Sequence, residues 1–192
     1  KRNSSLVKKH MLYRETITQE MQKKWFKRVN NENNVYFLIM HGKKKIGLTN
    51  SANINWKLKS AEGGVFLWDT DYIGTPIPLI SSLISFELFF KIFKLKYCYI
   101  KVLKTNETAI KFNEMFGFKL VSDNPDKAYY DYKLYSGDYE KNTQKTLKLI
   151  QKISNDFTDL TEANVDFSKH QSVADKKLYT HLPTAWRIKS RV

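Results

Sequence analysis

Apolar residues recur along this chain at strand and helix spacings. Runs of β-branched and aromatic residues predict strands over residues 35–40, 45–49, 64–68, 97–102 and 128–135. His41-Gly42-Lys43-Lys44 between the first two runs predicts a hairpin, and the polar segment 50–59 extends its second strand. Two short helices are predicted before residue 30. Thr18 is a candidate N-cap for the second, which carries Met21, Trp25 and Val29 on one face.

A third helix is predicted over residues 79–93, where Leu79, Leu83, Phe86, Phe90 and Phe93 share one stripe and Ile80, Ile84, Leu88 and Ile92 widen it. A helix that is apolar over most of its circumference is buried on more than one side. We expect it to lie against the sheet, and a second subunit is one option for its other side. The apolar stretch around it is interrupted by prolines, serines and a glutamate, so a buried helix is favoured over a membrane span.

Residues 96–120 predict a strand, a helix and a further strand. Thr105 is a candidate N-cap, and Ala109, Phe112, Met115 and Phe116 then recur at helical spacing. Gly117 follows as the residue that ends the helix with a positive φ.

Composition adds a strong positive charge and a reducing context. The 192 residues carry a formal net charge of +14, which favours anionic partners without choosing among phosphates, nucleic acid and membrane. Cys98 is the single cysteine and lies in an apolar strand, so a buried, inert thiol and a cytoplasmic setting are expected.

The chain begins without a signal peptide pattern. No metal site is predicted, because His10, His41, His170 and His181 have no ligand spacing.

The ordered set in residues 96–120, a strand, Asn106, Ala109-Ile110, an apolar helix face and Gly117-Phe118, resembles the second half of a GNAT acyltransferase. The N-terminal segment, with Arg2-Asn3 and Trp25-Phe26, resembles the opening of GNAT members that acetylate amino-sugar nucleotides or protein N-termini. The resemblance covers residues 1–135 and leaves 136–192 as a C-terminal helical or irregular extension. It implies an α+β fold in α/β/α layers, with a mixed, mostly antiparallel central sheet of about six or seven strands flanked by helices.

The resemblance also implies acetyl-CoA as cosubstrate. The loop that holds the CoA pyrophosphate in this family corresponds to residues 71–76, of which only Gly74 matches the family pattern. Asp71 and Pro76 depart from it, since Pro76 has no N–H to donate. The backbone N–H groups expected to serve are those of Tyr72, Ile73, Gly74, Thr75 and Ile77. Asn106 is expected either to turn the chain into the helix or to contact the pantetheine arm.

The candidate catalytic residues follow from the same comparison. Glu62 is the first candidate for the base that deprotonates the acceptor amine, and Asp69 is the second, although either carboxylate at a strand end is also explained by solvation. Backbone N–H groups near Phe66 and Leu67 are expected to stabilise the oxyanion and receive the acyl-pantetheine arm. Asn113 occupies the position at which many members of this family have a tyrosine that acts as the general acid and protonates the departing CoA thiolate. An asparagine amide has no proton that titrates and cannot replace it in this role.

The leading hypothesis is an N-acetyltransferase that acts on a primary amine, with a nucleotide-linked amino sugar as the candidate acceptor. The alternative is a catalytically degenerate GNAT fold retained as a binding module. A nucleic-acid-binding protein is a third reading that rests on charge alone, and neither nucleic acid nor membrane is predicted as a partner. Trp25, Trp56 and Trp68 belong either to the acceptor pocket or to the core. A monomer and a homodimer both remain open.

Overall fold

A six-stranded sheet in the order β1-β2-β3-β4-β6-β5 forms the centre of the fold, in a computed structural model that describes residues 1–153. Its strands are β1 (Val35–His41), β2 (Lys44–Asn55), β3 (Ser60–Leu67), β4 (Tyr97–Leu103), β5 (Lys119–Ser122) and β6 (Tyr129–Tyr135). Every neighbouring pair is antiparallel except β3 with β4, which are parallel. The predicted mixed, mostly antiparallel sheet flanked by helices is confirmed.

Helices cover both faces of this sheet. They are α1 (Ser5–Lys8), α2 (Gln19–Val29), α3 (Ile77–Phe86), α4 (Glu107–Met115) and α5 (Ser136–Ile153). On one face, Trp25 of α2 lies edge-on to Tyr36 of β1, with ring centroids 5.3 Å apart. On the other, the hydroxyls of Thr49 on β2 and Ser85 on α3 are hydrogen-bonded at 3.1 Å. Thr18 caps α2 by accepting the Met21 N–H, as predicted.

The helix predicted over residues 79–93 is two segments in the structure. After α3 the chain continues as a π-helix, Glu87–Ile92, closed by the Phe93 N–H donating to the Leu88 carbonyl at 2.9 Å. The predicted stripe is buried throughout. The wider π turn also permits Leu88, Phe89 and Phe90 to be buried in succession, because it shifts side-chain directions relative to an α-helix.

Phe86 centres an aromatic cluster that joins three helices. It contacts Phe116 and Phe118 at the end of α4, and Tyr139 of α5, with centroid separations of 5.2, 5.9 and 5.6 Å. Tyr139 is 1% exposed, and its hydroxyl donates to Glu87 Oε1 at 2.7 Å. The start of α5 therefore packs into the core. The boundary at residue 135 stays a prediction, and most of the extension 136–192 lies outside the described residues.

Two expectations for α4 were wrong, and two for its surroundings are confirmed. Asn106 is the N-cap in place of Thr105, and its side-chain oxygen accepts the Ala109 N–H at 3.2 Å. Met115 is 37% exposed, whereas Ile110 joins Ala109 and Phe112 against the core. Gly117 ends the helix with φ +94°, and Cys98 is fully buried.

Candidate active site

The two parallel strands separate halfway along their length. They pair only at Ser60 with Tyr97, Ala61 with Cys98 and Glu62 with Tyr99. Beyond those pairs β3 stays on β2 and β4 stays on β6, so a wedge-shaped gap opens between β3 and β4. The five residues of β3 that follow Glu62 span about 16 Å at about 3.3 Å each. Backbone groups that point into this gap have no strand partner there.

Two glycines follow Glu62 at the apex of this gap. A Cβ on Gly63 would lie 2.8 Å from Cys98 Sγ, and one on Gly64 would lie 2.6 Å from Asn50 Oδ1. Neither distance is compatible with a side chain unless a neighbour moves. Burial raises the pKa of the Cys98 thiol to about 12. The thiol therefore stays protonated at neutral pH and serves as packing for the apex.

Glu62, the last residue of β3 that pairs with β4, is held by a chain of asparagine amides. Asn53 Nδ2 donates to Glu62 Oε2 at 3.0 Å, and the Asn53 N–H donates to Oδ1 of the buried Asn34 at 3.1 Å. Asn34 Nδ2 in turn donates to Asn31 Oδ1 at 2.9 Å. Asn53 has φ +51° at a register shift of β2, a conformation that asparagine tolerates better than most residues. Sequence reasoning missed Asn53, although an asparagine-rich strand is itself unusual.

Ser51 places an unsatisfied polar group beside the apex. It pairs with Gly63 across β2 and β3 and is fully buried. Its Oγ has no hydrogen-bond partner among the described residues. A buried hydroxyl without a partner costs free energy, and this one lies on the α3 face of the sheet, the same face as Thr49.

The open end of the gap lies at the carboxyl ends of both parallel strands. The loop before α3 and the turn before α4 therefore meet at one edge of the sheet. Gly74 has φ +86° there, and a Cβ on it would meet nothing within 4 Å. Its N–H makes no hydrogen bond within residues 1–153. It is therefore a free donor with open space around it.

The other backbone donors predicted in this loop are already used. The N–H groups of Tyr72, Ile73 and Thr75 donate to carbonyls of the same loop, at 3.4, 3.0 and 3.3 Å. The Ile77 N–H points at Thr75 Oγ1, 3.4 Å away. These four amides hold the loop in shape, which leaves Gly74 as the unpaired donor among the five predicted.

Side-chain contacts attach this loop to the β1–β2 hairpin. Lys44 Nζ lies 2.6 Å from Asp69 Oδ2 and 5.3 Å from the centre of the Tyr72 ring. The Tyr72 hydroxyl is hydrogen-bonded to His41 Nδ1 at 3.1 Å. The hydrogen bond from Lys44 lowers the pKa of Asp69. Asp69, the second candidate base, is thus ion-paired at the open end, and the structure does not bring it to Glu62.

The remaining predicted residues lie at different points of the gap. Phe66 and Leu67 are half-buried and pair with β2 near the open end. Phe66 is four residues from Glu62, about 13 Å along a strand, so one thioester cannot contact both. Asn106 caps α4 at the open end. Asn113 Nδ2 donates to the Ala109 carbonyl of its own helix at 2.7 Å.

A cavity of about 730 Å³ lies on the α2 side of the sheet. Strand pairing places Tyr36, Ala52 and Glu62 on this same face. The cavity lies between α2, the loop that follows it and the first two strands, and is lined by Trp25, Arg28, Val29, Asn31, Asn33, Asn34, Tyr36, Ala52, Asn53, Ile54, Asn55 and Trp56. Two of the three candidate tryptophans, Trp25 and Trp56, therefore line it. The third, Trp68, donates its Nε1 hydrogen to the Lys45 carbonyl at 2.8 Å.

Residues 1–153 contain no cluster of three or more histidine, cysteine, aspartate or glutamate side chains able to hold a metal ion. Within the same residues, no helix is long and apolar enough to cross a membrane.

The loop around Gly74 and the end of β3, which the family resemblance assigns to acetyl-CoA, lie together at the open end of this gap. The family model described as an acetyltransferase (GNAT) domain matches residues 4–135, more than half of the chain. The chain therefore belongs to the GNAT acetyltransferase family, whose members are acetyl-CoA-dependent N-acyltransferases. No curated protein matches it in sequence.

Solved structures share its fold at low sequence identity. One is a domain from Methanocaldococcus jannaschii, with a TM-score of 0.60 and 20% identity, covering 70% of this chain and 86% of that one. Another is the dodecameric spermidine N-acetyltransferase from Vibrio cholerae, with a TM-score of 0.56 and 18% identity, covering 66% of this chain and 78% of that one.

Proposed function

We propose that this protein transfers an acetyl group from acetyl-CoA to a primary amine, with Glu62 as the base. The observation that supports this most is the position of Glu62. It is the last residue of β3 before the strands separate, and its partner Asn53 lines the adjacent cavity. A carboxylate there would face the cosubstrate in the gap and the amine in the cavity.

The residues of this site suit the acyl-pantetheine arm of acetyl-CoA better than they suit its pyrophosphate. The gap offers backbone groups of β3 that have no strand partner, those of Leu67 among them, which suit an acyl-pantetheine arm. At the open end, the Gly74 N–H would hold the pyrophosphate, with Asn106 beside the arm. We propose that this loop is degenerate, because Pro76 lacks an N–H and the N–H groups of Tyr72, Ile73 and Thr75 serve the loop itself.

In the reaction, Glu62 accepts a proton from the acceptor ammonium, directly or through water. The freed nitrogen lone pair forms the amide bond to the acetyl carbon as the carbon–sulfur bond breaks. Strand alternation directs the N–H groups of Val65 and Leu67 into the gap, because the Trp68 N–H donates to Ile46 of β2. The Val65 N–H is the nearer of the two to Glu62 and would stabilise the transient oxyanion. The amine loses a second proton, and the departing thiolate gains one from a tyrosine or water, since Asn113 has no proton to titrate.

The acceptor class follows from the N-terminal segment. Its resemblance to GNAT members that act on amino-sugar nucleotides makes a nucleotide-linked amino sugar the proposed acceptor. The structural neighbour from Vibrio cholerae acetylates spermidine, which makes a polyamine the competing proposal. A cytoplasmic location and a monomeric or dimeric state stay predictions.

The role of Glu62 is tested by Glu62→Gln, measured as CoA release against pH with an amine acceptor. We expect the rate to fall by roughly 10²- to 10⁴-fold and to lose its pH dependence. Glu107→Gln is the matched control, since that carboxylate is exposed on the first turn of α4. A wild-type pH profile in Glu62→Gln would assign the base elsewhere. Failure of the wild-type protein to bind acetyl-CoA would favour the degenerate binding module.

A further inference from the structure

The cavity beside Glu62 has an unusual charge distribution. Of its twelve lining residues, Arg28 alone is charged. Arg28 lies on the last turn of α2 and is exposed. Among residues 1–153 its guanidinium forms no ion pair within 4 Å. A cavity that presents one unpaired cation attracts an anionic group and repels a polycation.

Most of the polar side chains in this cavity are already engaged. Asn31 accepts from Asn34 and the Asn33 N–H and donates to the Arg28 carbonyl. Asn34 accepts from Asn53, which itself donates to Glu62. Because these amides hold one another, they offer few free donors or acceptors to a ligand. Arg28 is consequently the strongest unused polar group in the cavity.

Tyr36 lines the cavity and is influenced by two charged side chains. Burial is the main cause that raises the pKa of its hydroxyl, and the negative charge of Glu62 adds to the rise. The positive charge of Arg28 opposes it, so both charges act on the same hydroxyl. A carboxylate on β3 and a guanidinium on α2 therefore both act on Tyr36, which lines the cavity.

We infer that the acceptor amine carries an anionic group, a phosphate or a carboxylate, which Arg28 binds while the amine lies at Glu62. A guanidinium suits either anion, since its donors match two oxygens at once. This inference rests on the proposed function and selects within it. It favours an amino sugar that bears a phosphate and disfavours spermidine, which has no anionic group.

The test uses pairs of acceptors that share the amine and differ in the anionic group, with kcat/KM calculated for the unprotonated amine because the two members differ in amine pKa. Glucosamine 1-phosphate is compared with glucosamine, and alanine with alaninamide, so the two pairs separate phosphate from carboxylate. We expect kcat/KM to be roughly ten- to a hundredfold higher for the anionic member of one pair. This is the increase in affinity expected from a hydrogen bond to a charged group. Spermidine should be no better than the neutral amines. An equal or greater kcat/KM for the neutral member of both pairs would overturn the inference.

Variants of α2 assign the effect to Arg28. Arg28→Gln should remove the preference, mainly by raising KM for the anionic acceptor, and Arg28→Lys should keep part of it. Lys27→Gln is the matched control, because it removes the same charge from the same helix turn and does not line the cavity. Equal preference in Arg28→Gln and the wild-type protein would contradict the assignment.

A binding measurement separates this inference from the proposed function. Glucosamine 1-phosphate is titrated into the wild-type protein and into Arg28→Gln without acetyl-CoA. Binding that Arg28→Gln abolishes supports the anion site even if no acceptor is acetylated, and no binding to the wild-type protein overturns it. Absence of acetyl-CoA binding, by contrast, would contradict the proposed function alone.

Discussion

Gly63 and Cys98 pack against each other at the point where β3 and β4 separate. Gly63 does not have a positive φ, so its backbone would accept alanine, and only the 2.8 Å approach to Sγ forbids it. The glycine is therefore required by its neighbour and not by its own conformation. This distinction could not be drawn from the sequence, because residues 63 and 98 are distant in the chain.

Gly63→Ala and Cys98→Ala should compensate each other. We expect Gly63→Ala to lower the free energy of unfolding by about 1–3 kcal/mol through overpacking. Cys98→Ala leaves a space that the new methyl group fills, so the double variant should be more stable than the sum of the single changes by about 1 kcal/mol. Urea denaturation of all four proteins measures this coupling. Additive changes would show that the two residues do not contact each other.

The buried Cys98 thiol should make stability depend on alkaline pH. Its pKa is raised from 9.0 to about 12, so above pH 9 the unfolded chain releases a proton that the folded chain keeps. The free energy of unfolding should therefore fall between pH 9 and pH 12, by at most about 1.4 kcal/mol per pH unit from this group. Urea denaturation at pH 8 and at pH 10 measures the start of this decrease in the free energy of unfolding. The decrease should be smaller in Cys98→Ala than in the wild-type protein. The same fall in both proteins would assign it to other groups.

Gly74 is the residue of the loop before α3 on which the cofactor proposal depends. Gly74→Asp places a negative charge beside the unpaired N–H, and we expect acetyl-CoA affinity to fall at least tenfold through charge repulsion. Gly74→Asn is the matched control of nearly the same shape without the charge, and asparagine tolerates a positive φ. Calorimetric titration of both variants separates the two effects, while circular dichroism confirms that each is folded. Equal affinities in the two variants would place the pyrophosphate elsewhere.

Tyr139 attaches α5 to the aromatic cluster around Phe86. Tyr139→Phe should lower the free energy of unfolding by about 1–3 kcal/mol, because Oε1 of the half-buried Glu87 carboxylate loses its donor. Tyr135→Phe is the control, since Tyr135 is 47% exposed. Equal urea midpoints in the two variants would show that the hydrogen bond from Tyr139 to Glu87 does not stabilise the fold. Because Tyr139 packs into the core, we also expect a chain that ends at residue 135 to be less stable than one that includes the start of α5.

Elements with regular periodicity were predictable, and departures from regularity were not. The stripe from Leu79 to Phe93 gave the buried helix, but the change to a π-helix after Phe86 depends on what the sheet and α5 place around it. The end of α4 was predictable from Gly117, because a positive φ after a helix depends only on the local sequence. Its start was not predictable, because both Thr105 and Asn106 can cap a helix and only the geometry of the turn selects Asn106.

For the whole molecule, the class of fold was predictable, because the resemblance of the segment 96–120 implied a mixed, mostly antiparallel sheet flanked by helices. The active-site geometry was less so. Glu62 and Gly74 were identified as separate candidates, whereas Asn53 and Arg28 gain their roles from β2 and α2 lying on one face of the sheet. The sequence also predicts that N–H groups near Phe66 and Leu67 stabilise the oxyanion. This prediction conflicts with Glu62 as the base, since the spacing of residues along β3 places Phe66 too far from Glu62.

Every catalytic step proposed for this protein requires that acetyl-CoA binds in the gap between β3 and β4. Calorimetric titration of acetyl-CoA into the wild-type protein, with desulfo-CoA as a second ligand, tests it most directly. We expect one-to-one binding in the micromolar range for both ligands, since the gap and Gly74 contact the arm and the pyrophosphate. No saturable binding of either ligand would contradict the claim and leave the protein as a GNAT fold without its cosubstrate.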